Sequence, residues 1–268
     1  MKKMQFNKIN RMVGIIVCLF SFTIFTMTVE PTASYWDCAE YISTSAKLQV
    51  GHPPGAPLFQ MLGAIFSTFA LEPDQIAFAV NMMSVSSSAL TILFLFWSIS
   101  HLVKQIVSKN QNISLTESFK IFGSSSLGAL TFTFTDSFWY NAVEAEVYAM
   151  ASLILSLLFW LGLKWTEDLD KPRGDKWLIL ISFVIGLSFG VHFMGLLAIP
   201  AVGLLYYFKK YDFNLKSFLL ANIISISILL FIFKLLLPTT LSIFGYVEVF
   251  FVNEIGLPFN YGTIFSAI

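Results

Sequence analysis

Arg11-Met-Val-Gly-Ile-Ile-Val-Cys-Leu-Phe-Ser-Phe-Thr-Ile-Phe-Thr-Met-Thr-Val29 carries no charge after its first residue, and it is followed at once by Glu30 and then by Ser34-Tyr-Trp-Asp-Cys-Ala-Glu-Tyr41. The first run is long enough to span a bilayer, which needs about 20 mostly apolar residues. The second sets two carboxylates beside its exit, where charge is costly unless it is paired, solvated or used. Composition generalises the pattern. Of 268 residues, 56% are hydrophobic and 12% charged, half the charged share of about 25% usual in soluble domains, with a mean hydropathy of +0.75. The chain reads as an all-α, polytopic transmembrane bundle.

Further apolar segments at 76–103, 119–135, 147–165, 177–192, 194–208 and 217–237 bring the expected spans to seven. The stretch 57–71 is apolar but short and follows a proline-rich turn, so a juxtamembrane or re-entrant helix is expected there. The basic N-terminus (Lys2, Lys3, Lys8, Arg11) resembles a signal peptide. The apolar run is long, however, and lacks a small-residue cleavage site, which favours a retained first helix. Gly190, His192 and Gly195 suggest a tight turn between two spans. Ser182, Gly186 and Gly190 form a small-residue stripe that would admit a neighbouring helix. Residues 1–268 read as a single N-terminal transmembrane domain, and the ending Phe265-Ser-Ala-Ile268 suggests a piece of a longer protein.

Lys and Arg set the expected orientation. The N-terminus, Lys104/Lys109/Lys120, Lys164/Lys171/Arg173/Lys176 and Lys209/Lys210/Lys216 fall on one side, the cytoplasmic one. The loop 30–75, segment 136–146, the turn near His192 and residues 238–268 fall on the other, which is rich in Asp and Glu. No basic stripe with interleaved aromatics exists, which argues against nucleic acid as a partner. Cys18 and Cys38 form no metal-binding or disulfide pattern.

Candidate chemistry gathers on the acidic side. Asp37 and Glu40 share a helix face at this spacing and could divide the work of base and positioning group. The same spacing also fits a capping box, with Asp37 as N-cap and Glu40 at the third helical position. His52-Pro-Pro-Gly55 is a rigid turn on the same segment, and a histidine there is often only a turn residue. Glu144 and Glu146 lie among Trp139, Tyr140 and Tyr148, aromatics that an interfacial belt also explains. If helical, they diverge, so only one is expected to face a shared cavity. His192 is a candidate for an anionic group, or a neutral histidine packed between helices.

Two motifs, Trp36-Asp-Cys-Ala-Glu40 and Val50-Gly-His-Pro-Pro-Gly-Ala-Pro-Leu-Phe59, resemble the protein O-mannosyltransferase-like family (glycosyltransferase family 117 type) of the GT-C superfamily. This family is abundant in Bacteroidetes-type bacteria. Supporting similarity lies at Asn141–Tyr148 and Gly186–Pro200. The resemblance implies transfer of a hexose, mannose by analogy, from a polyprenyl-phosphate donor to Ser/Thr hydroxyls of an acceptor protein. Transfer would occur with inversion, on the extracytoplasmic side of a bacterial inner membrane, with the N-terminus cytoplasmic. It implies Asp37 as catalytic base, with Glu40 beside it at the catalytic centre. His52, Glu144 and Glu146 would line the substrate site and His192 would lie near the lipid phosphate. No residue is assigned as a metal ligand and no cofactor is identified, with a divalent cation left open. Two other classes compete. A transporter should carry ionisable residues at mid-membrane and a repeat, whereas here the mid-span regions are nearly free of charge, with Lys234 near the outer end of its span the main exception. A non-catalytic scaffold subunit predicts that the outer carboxylates can be neutralised without effect.

Overall fold

The computed structural model describes residues 3–108 and 113–268. Lys2 and Lys109, both counted in the basic clusters, lie outside the described residues. The chain divides into two compact units, Met1–Ala198 and Ile199–Ile268.

The first unit is a helical bundle of α1 (Lys3–Met27), α2 (Cys38–Lys47), α3 (Pro57–Ser67), α4 (Ile76–Val107), α5 (Leu115–Thr133), α6 (Asp136–Ala142), α7 (Val147–Asp168) and α8 (Lys176–Ser188). Helix α4 is its axis and packs on α1, α3, α5 and α7. A helix that is apolar all round must be buried all round, and α4 buries residues on every side, from Ala79 and Val80 to Phe96 and Ser100. In lipid the drive for helix association is close packing rather than water exclusion. The small residues Ser84, Ser87, Ser88 and Thr91 of α4 are accordingly buried. Val17 and Phe25 of α1 meet Ile92 and Phe96 of α4 and Phe138 and Ala142 of α6 in one cluster. The Ser21 and Thr133 hydroxyls join α1 to α5 at 2.9 Å.

Two short helices frame the first loop. Helix α2 buries Cys38, Ile42 and Ser45 at helical spacing and ends at left-handed Leu48. Helix α3 starts with Pro57 at its first turn, where the missing N–H costs nothing. The free N–H groups of Leu58 and Phe59 donate to the Gly190 carbonyl, at 2.8 and 3.1 Å. That carbonyl satisfies orphan donors of a helix start and fastens the end of α8 to the start of α3.

In the second unit, α9 (Ala198–Lys210) and α10 (Leu215–Phe231) form a hairpin. It is pinned by the Tyr207 hydroxyl, which accepts from the Asn214 N–H at 3.1 Å and bonds Ser217 at 2.8 Å. Helix continues through a π turn (Ile232–Leu236), α11 (Leu237–Val249) and a second π turn (Phe250–Glu254), and α12 (Tyr261–Ala267) follows. Residues 238–268, beyond the last span expected from sequence, are therefore largely helical. Pro238 falls in the first turn of α11, where the preceding π turn gives the space that a proline ring demands inside a helix. Glu248 accepts the N–H groups of Asn260 (2.6 Å) and Thr263 (2.7 Å), tying α12 to α11.

The chain is a helical membrane protein, and no strand occurs among the described residues. Five helical stretches are long and apolar enough to cross a membrane: Gln5–Met27, Pro73–Val107, Val147–Asp168, Phe193–Lys210 and Leu215–Glu254. The spans expected at 119–135 and 177–192 are helices as well, α5 and α8, but neither belongs to the five. Helix α5 is rich in Ser, Thr and Gly. Helix α8 has 13 residues, and reaches about 20 Å against a hydrocarbon core of about 30 Å. Helix α3 is too short to cross, as its sequence implied.

Candidate active site

The acidic segments of the first unit converge. Side chains from the segments 36–41, 52–55, 140–148 and 189–193, among them Asp37, His52, Glu144, Glu146 and His192, line a cavity of about 490 Å³. Three tethers bring them together. The Glu30 N–H donates to the Val143 carbonyl at 2.9 Å. The buried Asn81 of α4 donates to the carbonyls of Glu30 (2.6 Å) and Thr32 (2.9 Å). The Gly190 carbonyl holds α3. The 34–41 segment, the His52 turn and the His192 turn are thereby anchored to the ends of three different helices.

At the centre His52 stands between two carboxylates. Its backbone N–H donates to Glu40 Oε1 at 2.6 Å, and its ring Nδ1 lies 3.0 Å from Glu40 Oε2. Its Nε2 lies 3.7 Å from Asp37 Oδ2. An ionised Glu40 selects the tautomer with the proton on Nδ1, which turns Nε2 toward Asp37. The hydrogen bond and charge of Glu40, then the charges of Asp37 and Glu146, raise the His52 pKa. The His52 backbone N–H, then its ring, lower that of Glu40. The turn itself closes through Gly55 N–H to the His52 carbonyl at 2.9 Å, with Gly55 at φ +81, a conformation glycine adopts without strain.

Asp37 begins α2, but its side chain caps nothing. The capping box allowed by the Asp37/Glu40 spacing does not form, because Glu40 turns away to hold His52. Ser114 and Glu117 do form one at the start of α5, with both reciprocal bonds made. Asp37 is preceded by Trp36, a non-glycine residue at φ 58, and strain of this kind gathers at functional sites. The Asp37 carboxylate is half exposed toward the cavity.

Glu144 and Glu146 form the opposite wall. They sit in the non-helical link between α6 and α7, so the divergence expected on a helix does not apply and both line the cavity. They are 3% and 6% exposed. Glu146 Oε1 accepts the Asp37 N–H at 3.1 Å, and Glu144 accepts the Ser34 hydroxyl. Burial, then the charges of Asp37 and Glu144, push the Glu146 pKa up to about 7. Burial also raises that of Glu144, against the Ser34 hydrogen bond. Burial and the surrounding carboxylates lift Tyr41 to about 12, so it stays a neutral phenol.

His192 reaches the same cavity. Its Nδ1 accepts the Met194 N–H at 3.2 Å, and its ring centre lies 5.3 Å from that of Tyr148. Burial lowers its pKa. Of the expected small-residue stripe only Gly190 makes a close approach: a Cβ there would lie 2.7 Å from Leu58 Cβ, whereas Gly186 has nothing within 4 Å and Ser182 is exposed.

Asp37, Glu40 and His52 bring ligand atoms within 4.8 Å of one another. Both Glu40 oxygens are already engaged by His52, so a cation fits as a guest of Asp37 and His52 Nε2, with Glu40 orienting the imidazole from behind. Sequence reasoning passed over Asn81, Tyr41, Ser34 and Trp36. Asn81 carried a usable signal: an amide inside an apolar span is expensive unless it has a structural or functional partner.

The family described as the N-terminal domain of protein O-mannosyl-transferase TMEM260 matches residues 37–215. Protein O-mannosyl-transferase TMEM260 of Mus musculus is 27% identical over 169 residues, covering 62% of this chain and 21% of the relative. Its namesake in Dictyostelium discoideum is 28% identical over 228 residues, covering 79% of this chain and 26% of the relative. The chain thus spans roughly a fifth to a quarter of the length of these curated relatives. No solved structure matches. The matched region covers most of the chain and includes Asp37, Glu40, His52, Glu144, Glu146 and His192, and the chain belongs to this family.

Proposed function

We propose that this member of the TMEM260 N-terminal family carries the catalytic loop of a membrane glycosyltransferase. It would move a hexose, by analogy mannose, from a polyprenyl-phosphate donor to Ser or Thr hydroxyls of a protein. The observation that carries the reading is the row Asp37–His52–Glu40 opening into a cavity walled by Glu144 and Glu146. The two curated relatives are named as protein O-mannosyl-transferases.

In the proposed reaction the acceptor oxygen bonds to the anomeric carbon as the bond from that carbon to the phosphate oxygen breaks. Asp37 takes the hydroxyl proton, and the electron pair leaves with the polyprenyl phosphate. One displacement inverts the anomeric centre. Glu40 is a positioning residue: it orients His52 beside Asp37 and raises the imidazole pKa, which favours positive charge near the departing phosphate. Trp36, Tyr140 and Tyr148 give the cavity aromatic faces on which a sugar can rest. A bound divalent cation would add Lewis-acid stabilisation of the phosphate. The Lys/Arg distribution supports an extracytoplasmic cavity. A bacterial inner membrane with a cytoplasmic N-terminus follows from the resemblance, although both relatives named here are eukaryotic.

The test supplies membranes containing the full-length protein or its Asp37→Asn variant with labelled polyprenyl-phosphate mannose and counts protein-bound label. Label that vanishes in the variant at equal expression supports the reading. Equal label from both removes Asp37 as base and shifts attention to Glu144.

A further inference from the structure

A second cavity, of about 420 Å³, lies toward the other end of α7. Helix α1 lends it Arg11, α4 lends Trp97 and Lys104, α7 lends Trp160 and Lys164, and Trp177 opens α8. The acidic site meets α7 at Tyr148, and this cavity meets it at Glu167. The second cavity begins on α7 at Trp160, so at 1.5 Å per residue the two are about 18 to 28 Å apart from near edge to far edge, against a hydrocarbon core of about 30 Å. The chemistry of the two ends is opposite. Here three cationic side chains face one carboxylate, Glu167, which holds Lys164 at 2.8 Å and His101 at 3.3 Å. Indole rings flank the cations, with the Lys164 ammonium 5.9 Å from the centre of Trp160.

We propose that this cavity binds the phosphate headgroup of an anionic membrane lipid. Helix ends that stop at the depth of the bilayer surface place the cavity among headgroups, where indoles are at home. A recess between spanning helices that gathers more cations than carboxylates beside apolar walls attracts an anion. A purely topological role for these cations requires them only to lie on one side; it does not require four helices to converge them on a recess lined by three indoles. The inference is independent of the glycosyltransferase reading.

The test is native mass spectrometry of the full-length protein in mild detergent, offered phosphatidylglycerol or phosphatidylcholine. Phosphatidylglycerol should be retained at least ~10-fold more strongly, and Lys104→Gln/Lys164→Gln should weaken that retention by ~10-fold or more, at roughly fivefold per cation. Lys209→Gln, on the basic end of α9 outside the cavity, should change nothing. Circular dichroism checks folding; if the double variant is unfolded, Arg11→Gln, at an exposed position, gives the same reading with a roughly fivefold loss. Equal retention of both lipids, or retention indifferent to the cavity variants, overturns the proposal. Displacement of phosphatidylglycerol by millimolar inorganic phosphate would mark a small-anion site and overturn the lipid assignment.

Discussion

Glu40 grips His52 twice, at the backbone N–H (2.6 Å) and at ring Nδ1 (3.0 Å), across a gap of twelve residues. The spacing Asp-x-x-Glu therefore serves neither as a cap nor as two equivalent carboxylates. One acid faces the cavity, and the other fixes the histidine between them. Unequal roles for the two acids follow.

Asp37→Asn should lower sugar transfer by about 10²–10⁴-fold, the usual weight of a general base, with helix content unchanged. Asp37 makes no side-chain cap, so its neutralisation removes no helix-starting bond. Radiolabel transfer with circular dichroism on the same preparation checks both halves.

Glu40→Gln should act through His52. Glu40 is the largest cause of the raised His52 pKa, so the imidazole titration followed by NMR should move down toward its ordinary value in the variant. Transfer should fall, with the high-pH limb of its profile shifted the same way. An unmoved His52 titration would show that Glu40 serves only to hold the backbone.

Glu146 should make the folded state sensitive to pH. Its folded pKa of about 7 lies above the ordinary 4.5, so the native state holds this proton more tightly than the unfolded chain. That contribution is complete below about pH 4.5 and is lost as pH rises through about 7. Thermal melts in detergent should therefore lose on the order of 1–3 kcal/mol between pH 5 and 8 from this group. Glu146→Gln should flatten the dependence.

Asn81→Leu should destabilise the first unit by about 1–2 kcal/mol, since the carbonyls of Glu30 and Thr32 lose a buried donor. It should also weaken transfer without touching the cavity. Asn81 lies outside the lining residues, so a melting shift accompanied by lower turnover would trace the effect to the tethered loop.

Gly190→Ala should lower the melting temperature, because its Cβ would press on Leu58 Cβ (2.7 Å) and its backbone N (3.2 Å), a strain of about 1–3 kcal/mol. Gly186→Ala, with open space around it, should be neutral or slightly stabilising. Equal melting of the two variants would refute the role of Gly190 as the seat of α3.

Sequence alone determined the helical membrane class, the place of most helices and the identity of the acidic motifs. Each rests on local composition: an apolar run must bury its backbone polarity in helix, and Asp37, His52 and Glu144 stand out against an apolar background. The helix through 238–254 lay beyond the expected span 217–237, and Pro238 is accommodated there beside a π turn that only the structure shows. Only tertiary structure decided which acid faces the cavity and which holds His52. Glu40 and His52 meet through the path of the chain between α2 and α3, Asp37 and Glu146 across more than a hundred residues, and Asn81 and Gly190 act through a side-chain amide and a backbone carbonyl. These partners are chosen by packing, and packing leaves no periodic trace in the chain from which they could have been read.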